Sequence, residues 1–103
     1  MWLLRRRRRL RVAGASMHPL LKPGDEVLFD PSAYRRQPPR AGDIVVARHP
    51  LQPDQLIIKR VAEALPDDTY RLAGDNRWDS TDSRAFGPVP RRFIRGRVTS
   101  RFA

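Results

Sequence analysis

Cysteine is absent from this 103-residue chain, and lysine and histidine are scarce. Without cysteine, disulfides, Cys-based zinc sites and thiol nucleophiles are excluded. The two histidines, His18 and His49, have no partner at metal-ligand spacing, so neither a structural metal nor any other cofactor is expected. Lys22 and Lys59 are the only lysines among 21 basic residues, the others being arginine. Each lysine therefore stands out from the arginine background.

Long apolar runs are also absent. Trp2-Leu3-Leu4 is far shorter than the roughly 20 residues that cross a bilayer. It is followed by Arg5–Arg9, which reverses the charge order of a secretory signal. We interpret residues 1–11 as a basic leader, flexible or membrane-proximal, ahead of one domain at 12–103. The chain is therefore expected to be membrane-associated or cytoplasmic.

The charge balance points to anionic partners, since 21 basic residues face 11 acidic ones and the formal net charge is +10. One interpretation is that Arg5–Arg9 hold an anionic membrane surface while the preceding apolar residues dip into it. The alternative is a solvated basic tail. Nucleic acid is a less suitable partner, because no aromatic residues are interleaved with these arginines.

Short apolar stretches between Pro/Gly turns predict a mainly β fold, a small barrel-like domain. A short helical turn is expected after Ser16, with Met17, Leu20 and Leu21 facing apolar surroundings. The predicted strands cover residues 10–15, 26–29, 43–49, 55–62, 69–73 and 93–102, the last with a bend at Gly96.

Lys59 lies within an apolar strand pattern. Side chains alternate faces along a strand, so Lys59 shares a face with Ile57 and Val61. If that face points inward, burial disfavours the charged ammonium and lowers the pKa of such a lysine. A neutral lysine can act as a general base. The alternative is an edge-strand lysine that reaches water.

Ser16 follows the small residues Gly14 and Ala15. A serine in this place is commonly a helix cap. As a nucleophile it would need a base within reach and donors for an oxyanion. Gly14 and Ala15 would let a substrate backbone approach closely, and the Ser16 amide could point at a developing oxyanion.

A dense polar loop covers residues 72–90. Asp75 and Asn76 are expected to tie its turn to backbone amides. Asp82 and Arg84 can pair, and Ser80 offers a hydroxyl that could orient a lysine. A calcium loop is disfavoured because arginines fall among the carboxylates and the EF-hand spacing is absent.

Together these segments closely resemble the signal peptidase I family of serine/lysine-dyad endopeptidases. Five blocks occur in the family's order: 14–21, 22–27, 41–45, 58–61, and 74–77 with Ser80, 82–84 and 86–90. The resemblance implies a β-rich catalytic core in which Ser16 is the nucleophile and Lys59 the general base. It further implies supporting roles for Gly14, Met17, Asp75, Asn76, Ser80, Asp82 and Arg84.

The substrate implied by this resemblance is a precursor protein with an N-terminal leader or signal peptide. The small size and the motifs at 46–50 and 86–90 look most like the nickel-type superoxide dismutase maturation proteases, which suggests a nickel superoxide dismutase precursor. The chain departs from the family in lacking membrane-spanning anchors and a long insertion after the lysine block. It also has Gly14 where some members place a serine that donates to the oxyanion.

Two other functions remain open from the sequence. One is a non-catalytic basic module that binds an anionic membrane or nucleic acid through the leader. The other is a self-cleaving repressor-type peptidase domain, disfavoured because Ala13-Gly14 lies too close to Ser16 to enter its own site.

Overall fold

The computed structural model describes residues 6–76 and 86–102. They form one curled, antiparallel sheet, which confirms the predicted mainly β fold. Its seven strands are β1 (Arg8–Arg11), β2 (Glu26–Asp30), β3 (Ile44–Arg48), β4 (Leu56–Ala64), β5 (Thr69–Ala73), β6 (Val89–Pro90) and β7 (Ile94–Phe102). A 3-10 helix, Arg91–Phe93, leads into β7.

Strand order in the sheet is β1-β2-β7-β3-β4-β5-β6. The last strand therefore inserts between β2 and β3, while β3 and β4 form the predicted hairpin. The sheet starts at Arg8, inside the segment expected to be a leader, because β1 pairs with β2 from Arg8 to Arg11. Within the described ranges no helix is long and apolar enough to span a bilayer.

Both faces of the sheet carry a core, as the alternation of side chains along a strand requires. Val46 and Ile58 belong to one cluster, whereas Val45 and Val61 belong to the other. The first cluster also contains Val12, Met17, Leu21, Val27 and Phe29, and the second contains Ala47, Tyr70, Leu72 and Val89. Strand β3 is consequently buried on both sides, which explains its unbroken apolar run.

The segment after β1 is a run of turns rather than a regular helix. The amide of Leu21 donates to the carbonyl of Met17 at 2.9 Å, and both side chains are buried. Leu20 is 38% exposed, so the expectation that it faces apolar surroundings was wrong. Only the two residues four apart on this turn reach the core.

Candidate active site

A cavity of about 430 Å³ lies between the turn that follows β1 and the first half of β4. Ser16 lines it from the turn, and Lys59 lines it from the strand. The other lining residues are Leu10, Arg11, Val12, Ala13, Gly14, Ala15 and Met17 on one side, and His49, Gln52, Gln55, Leu56, Ile57 and Ile58 on the other. Ser16 and Lys59, which are 43 positions apart in the sequence, thus line the same cavity.

Lys59 is only 3% exposed, although it carries an amine. It stands opposite Val45 in the β3–β4 register, and Val45 is fully buried in the second core cluster. Ile57 and Val61, which share its face by alternation, pack in or against that same cluster. The sheet interior therefore surrounds the stem of Lys59, and the side chain does not reach water as the alternative required.

Ser16 is half-buried on its turn. Within the described part of the chain its hydroxyl accepts no backbone N–H, so Ser16 does not act as a helix cap there, and its own amide N–H donates no hydrogen bond. Met17, directly after it, is 1% exposed and packs in the first core cluster. The buried Met17 side chain fixes the turn, while Ser16 lines the cavity.

Gly14 lies two residues before Ser16 and is exposed. A Cβ built at this position would meet no atom within 4 Å, and Gly14 is not among the glycines with positive φ. The backbone therefore does not require glycine here. The space beside the turn that carries Ser16 is open at this position.

Asn76 connects the polar loop to the turn that carries Ser16. Its backbone N–H donates to the Ser16 carbonyl at 2.7 Å, and its side-chain Nδ2 donates to the Ala15 carbonyl at 3.0 Å. The sequence predicted that the Asn76 side chain would bind backbone amides. This side-chain contact is with a carbonyl, which accepts from the amide NH₂ group and also from the His18 backbone N–H at 3.1 Å.

Asp75 binds a guanidinium rather than backbone amides, which corrects the second part of that expectation. Its two carboxylate oxygens accept from Nε and Nη2 of Arg60, both at 2.9 Å. This bidentate pair holds the pKa of the Asp75 carboxyl below its usual value, chiefly through the hydrogen bond with Arg60. Arg60 directly follows Lys59, so residues 75–76 join the lysine strand to the serine turn.

Three further predicted residues, Ser80, Asp82 and Arg84, lie outside the described residues and stay predictions. Arg60 was not predicted from the sequence, since no spacing rule links position 60 to position 75. His49 lines the cavity, and its Nδ1 accepts from the amides of Leu51 and Gln52 at 3.0 and 3.2 Å. Among the described residues, no group of three His, Cys, Asp or Glu side chains could hold a metal ion.

Comparison with known proteins agrees with this arrangement. The model of the family "Signal peptidase, peptidase S26" matches residues 7–68 and 62–103. Mitochondrial inner membrane protease subunit 1 of Mus musculus is 33% identical over 84% of this chain and 63% of its own length. Mitochondrial inner membrane protease subunit 2 of Danio rerio is 36% identical over 86% of this chain and 60% of its own length. Signal peptidase I of Leptolyngbya laminosa is 28% identical over 88% of this chain and 66% of its own length.

The chain spans less than two thirds of the length of the inner membrane protease relatives named above. The match nevertheless includes the turn with Ser16, the strand with Lys59 and the sheet that joins them. The family model covers nearly the whole chain, and the cavity is lined by Ser16 and Lys59, the two residues that the sequence motifs singled out. The chain belongs to the signal peptidase, peptidase S26 family.

Proposed function

We propose that this protein is a serine endopeptidase that removes an N-terminal leader or signal peptide from a precursor protein. The observation that carries the proposal is the shared cavity, which both Ser16 and the buried Lys59 line. Family membership supports the same reaction class. The proposed reaction is hydrolysis of one peptide bond through an acyl-enzyme on Ser16.

Lys59 is the proposed general base. A buried amine is disfavoured in its charged form, and neutral lysine can accept a proton. In the proposed sequence Lys59 takes the Ser16 proton while Oγ attacks the scissile carbonyl, then gives the proton to the leaving amine. Water, deprotonated by Lys59, next attacks the acyl-enzyme; Lys59 returns this proton to the departing Ser16 Oγ, and the new carboxyl terminus is released.

The Ser16 amide is the proposed oxyanion donor. Its N–H lies on the turn that Met17 and Asn76 hold in place, and it makes no hydrogen bond within the described ranges. A fixed, unengaged donor stabilises developing negative charge without reorganising during the reaction. On the family resemblance alone, Ser80 is proposed to orient the lysine, and Asp82 and Arg84 to shape the site.

Strand β4 offers a place for an extended substrate. It pairs with β3 over Leu56–Arg60, but with β5 only over Arg60–Ala64. Among the described residues, the β5-side edge of 56–59 therefore has no strand partner. An extended peptide added to such an edge forms main-chain hydrogen bonds that do not depend on its sequence. On the family resemblance alone, small side chains are proposed just before the cut.

Cleavage of a leader peptide with alanine before the scissile bond tests the dyad. Ser16→Ala and Lys59→Met should each lower kcat by at least about a thousandfold, because each removes a group that takes part in the bond-making step. Methionine retains the apolar stem of Lys59, so thermal unfolding should show a folded protein. The wild-type rate should rise with pH as the amine loses its proton.

Matched controls come from the chain itself. Lys22→Met changes the only other lysine, which is exposed, and Ser100→Ala changes an exposed strand serine. Both controls should cleave at the wild-type rate. Retained cleavage by folded Ser16→Ala or Lys59→Met would exclude the dyad, whereas no cleavage by the wild type would leave a non-catalytic basic module as the alternative.

The specific substrate that we propose is a nickel superoxide dismutase precursor, supported by the small size and the motifs at 46–50 and 86–90. Membrane association is supported by the names of the relatives, which are inner membrane proteases, and by Arg5–Arg9. Incubation of that precursor with the enzyme should yield one cut at the leader junction, as read by mass spectrometry. If the enzyme cleaved a generic leader peptide but left this precursor intact, only the proposed substrate would be refuted, and the peptidase activity would stand.

A further inference from the structure

A second concavity has no residue in common with the Ser16–Lys59 cavity. It lies against the loop between β2 and β3 and carries six arginines but a single carboxylate, Asp43. The six are Arg6, Arg8, Arg35, Arg36, Arg40 and Arg97, all exposed. We call this concavity the arginine groove. The dyad mechanism uses none of its residues.

The six guanidinium groups carry charge that the protein does not neutralise. In the part of the chain that the structure describes, none of them forms a salt bridge. Neighbouring arginines on and beside β1 behave differently, since Arg7 pairs with Asp30 at 3.5 Å and Arg9 with Glu26 at 3.2 Å. Unpaired like charges gathered in one concavity repel each other, so an anion bound there would lower the free energy.

Asp43, the one acidic residue of the groove, is already satisfied. Its Oδ2 accepts from the Tyr34 hydroxyl at 2.7 Å and from the Arg40 amide at 3.1 Å. The pKa of Tyr34 is raised by burial and by this carboxylate, so Tyr34 stays a neutral donor. Asp43 therefore organises the groove rather than pairing with its arginines.

The loop that presents Arg35 and Arg36 is fixed at both ends. Near its start, the amide and hydroxyl of Ser32 donate to Oδ1 of the buried Asp30 at 2.9 and 2.8 Å. Farther along, Pro39 is fully buried. Anchored in this way, the loop holds its arginines without losing much further entropy on binding.

We propose that the arginine groove binds the phosphates of anionic phospholipids and docks the protein on a membrane surface. Guanidinium groups match phosphate oxygens in a bidentate manner. The lipid source is favoured by the sequence, because Trp2-Leu3-Leu4 precede the groove residue Arg6 by only two to four positions. Apolar residues next to basic ones combine partial insertion with headgroup contacts.

A nucleic acid fits the groove less well. Single-stranded nucleic acids gain affinity by stacking bases on aromatic faces. Tyr34 is the only aromatic residue that lines the groove in the described ranges, and it is half-buried with its hydroxyl bound to Asp43. The phosphate contacts would be available, but a stacking platform would not.

Vesicle co-sedimentation of the full chain tests the proposal. Binding should occur with vesicles of phosphatidylcholine and phosphatidylglycerol, and not with phosphatidylcholine alone. Arg35→Gln/Arg36→Gln should weaken it about 25-fold, since each basic residue near an anionic surface contributes about fivefold. The control Arg92→Gln/Arg95→Gln removes two exposed arginines outside the groove, and should cost about twofold because the charges it removes are screened.

Three outcomes would overturn the proposal. Equal losses in both double variants would mean that net charge alone drives binding. Saturation by inorganic phosphate without vesicle binding would indicate a free-phosphate site, and tighter, groove-dependent binding of a single-stranded oligonucleotide would indicate nucleic acid. Cleavage of a soluble leader peptide by Arg35→Gln/Arg36→Gln should stay unchanged, so the groove and the proposed peptidase fail or stand independently.

Discussion

Gly14 lies two residues before the proposed nucleophile, and its replacement tests the proposed oxyanion site. Its backbone does not need glycine, and a Cβ there meets no atom within 4 Å. Gly14→Ser should therefore fold normally and place a hydroxyl donor near the Ser16 amide. In other enzymes, removal of one oxyanion donor lowers kcat by about 100- to 1,000-fold. Gain of an unoptimised donor should raise kcat for the leader peptide by roughly tenfold.

Gly14→Ala is the matched control, because it adds the same Cβ without a donor. It should leave kcat near the wild-type value. An equal rise in kcat for both variants would show that the methyl or methylene group acts by restricting the backbone. No rise in Gly14→Ser would mean that the Ser16 amide and groups other than residue 14 form the whole site.

At the scale of residues, the alternation of side chains along the strand correctly predicted the face of the sheet on which Lys59 lies. Alternation placed Lys59 with Ile57 and Val61, and that face is the one covered by the second core cluster. The partnership of Asp75 with Arg60 was not predictable, because it depends on how the chain leaves β5. Side-chain pairs between distant segments are set by tertiary geometry, which short-range spacing does not encode.

At the scale of elements, β7 depends on a close approach at Gly96. A Cβ at Gly96 would lie 2.5 Å from the backbone oxygen of Asp30 and 2.8 Å from the ring of Phe29. A backbone oxygen within a paired strand cannot move cheaply. Gly96→Ala should therefore lower the free energy of unfolding by about 1–3 kcal/mol, as overpacked cores do.

Urea unfolding measures the effect of Gly96→Ala, with Gly14→Ala as a control that meets no neighbour. The midpoint should fall in the Gly96 variant and stay constant in the Gly14 variant. An unchanged midpoint for Gly96→Ala would mean that β2 and β7 can separate at no cost. A bend at Gly96 was expected from the sequence; the β3–β7 register shifts beside Gly96, and the structure adds a close contact with β2.

Five of the predicted strands match observed strands to within a few residues, since their apolar alternation and Pro/Gly boundaries are local signals. Two-residue β6 was missed because Val89-Pro90 is too short to show a period. The first strand was placed at 10–15, whereas β1 ends at Arg11. Arginines at 8, 9 and 11 hid a strand that pairs through backbone hydrogen bonds with β2.

At the scale of the whole molecule, strand order was beyond sequence reasoning. The C-terminal β7 inserts between β2 and β3, which brings together residues from 47 positions apart (Ala47 and Ile94) to 76 positions apart (Glu26 and Phe102). That insertion joins the β1–β2 pair to the β3–β4 hairpin in one curled sheet, in which the turn after β1 and β4 line the same cavity. The proposed dyad thus depends on a long-range topology in which Ser16 and Lys59 belong to different halves of the chain.

The Arg60–Asp75 pair makes this long-range arrangement dependent on pH. Pairing lowers the pKa of Asp75 in the folded state, whereas an unfolded aspartate titrates near about 3.9. A group with a depressed folded pKa stabilises the fold above its unfolded pKa, and that stability is lost as the pH falls through the folded pKa. The contribution at neutral pH should be about 1 kcal/mol or less, because Arg60 is 37% exposed and water screens the pair.

Asp75→Asn isolates this contribution, since it keeps the shape of the side chain and removes its charge. At neutral pH the variant should unfold at lower urea than the wild type, by about 1 kcal/mol or less. As the pH falls below the ordinary aspartate pKa, the difference should shrink, because protonated Asp75 no longer pairs as a carboxylate. A constant difference between pH 7 and the acid limb would mean that Asp75 acts through packing, and that residues 75–76 join the β4 strand to the Ser16 turn without help from charge.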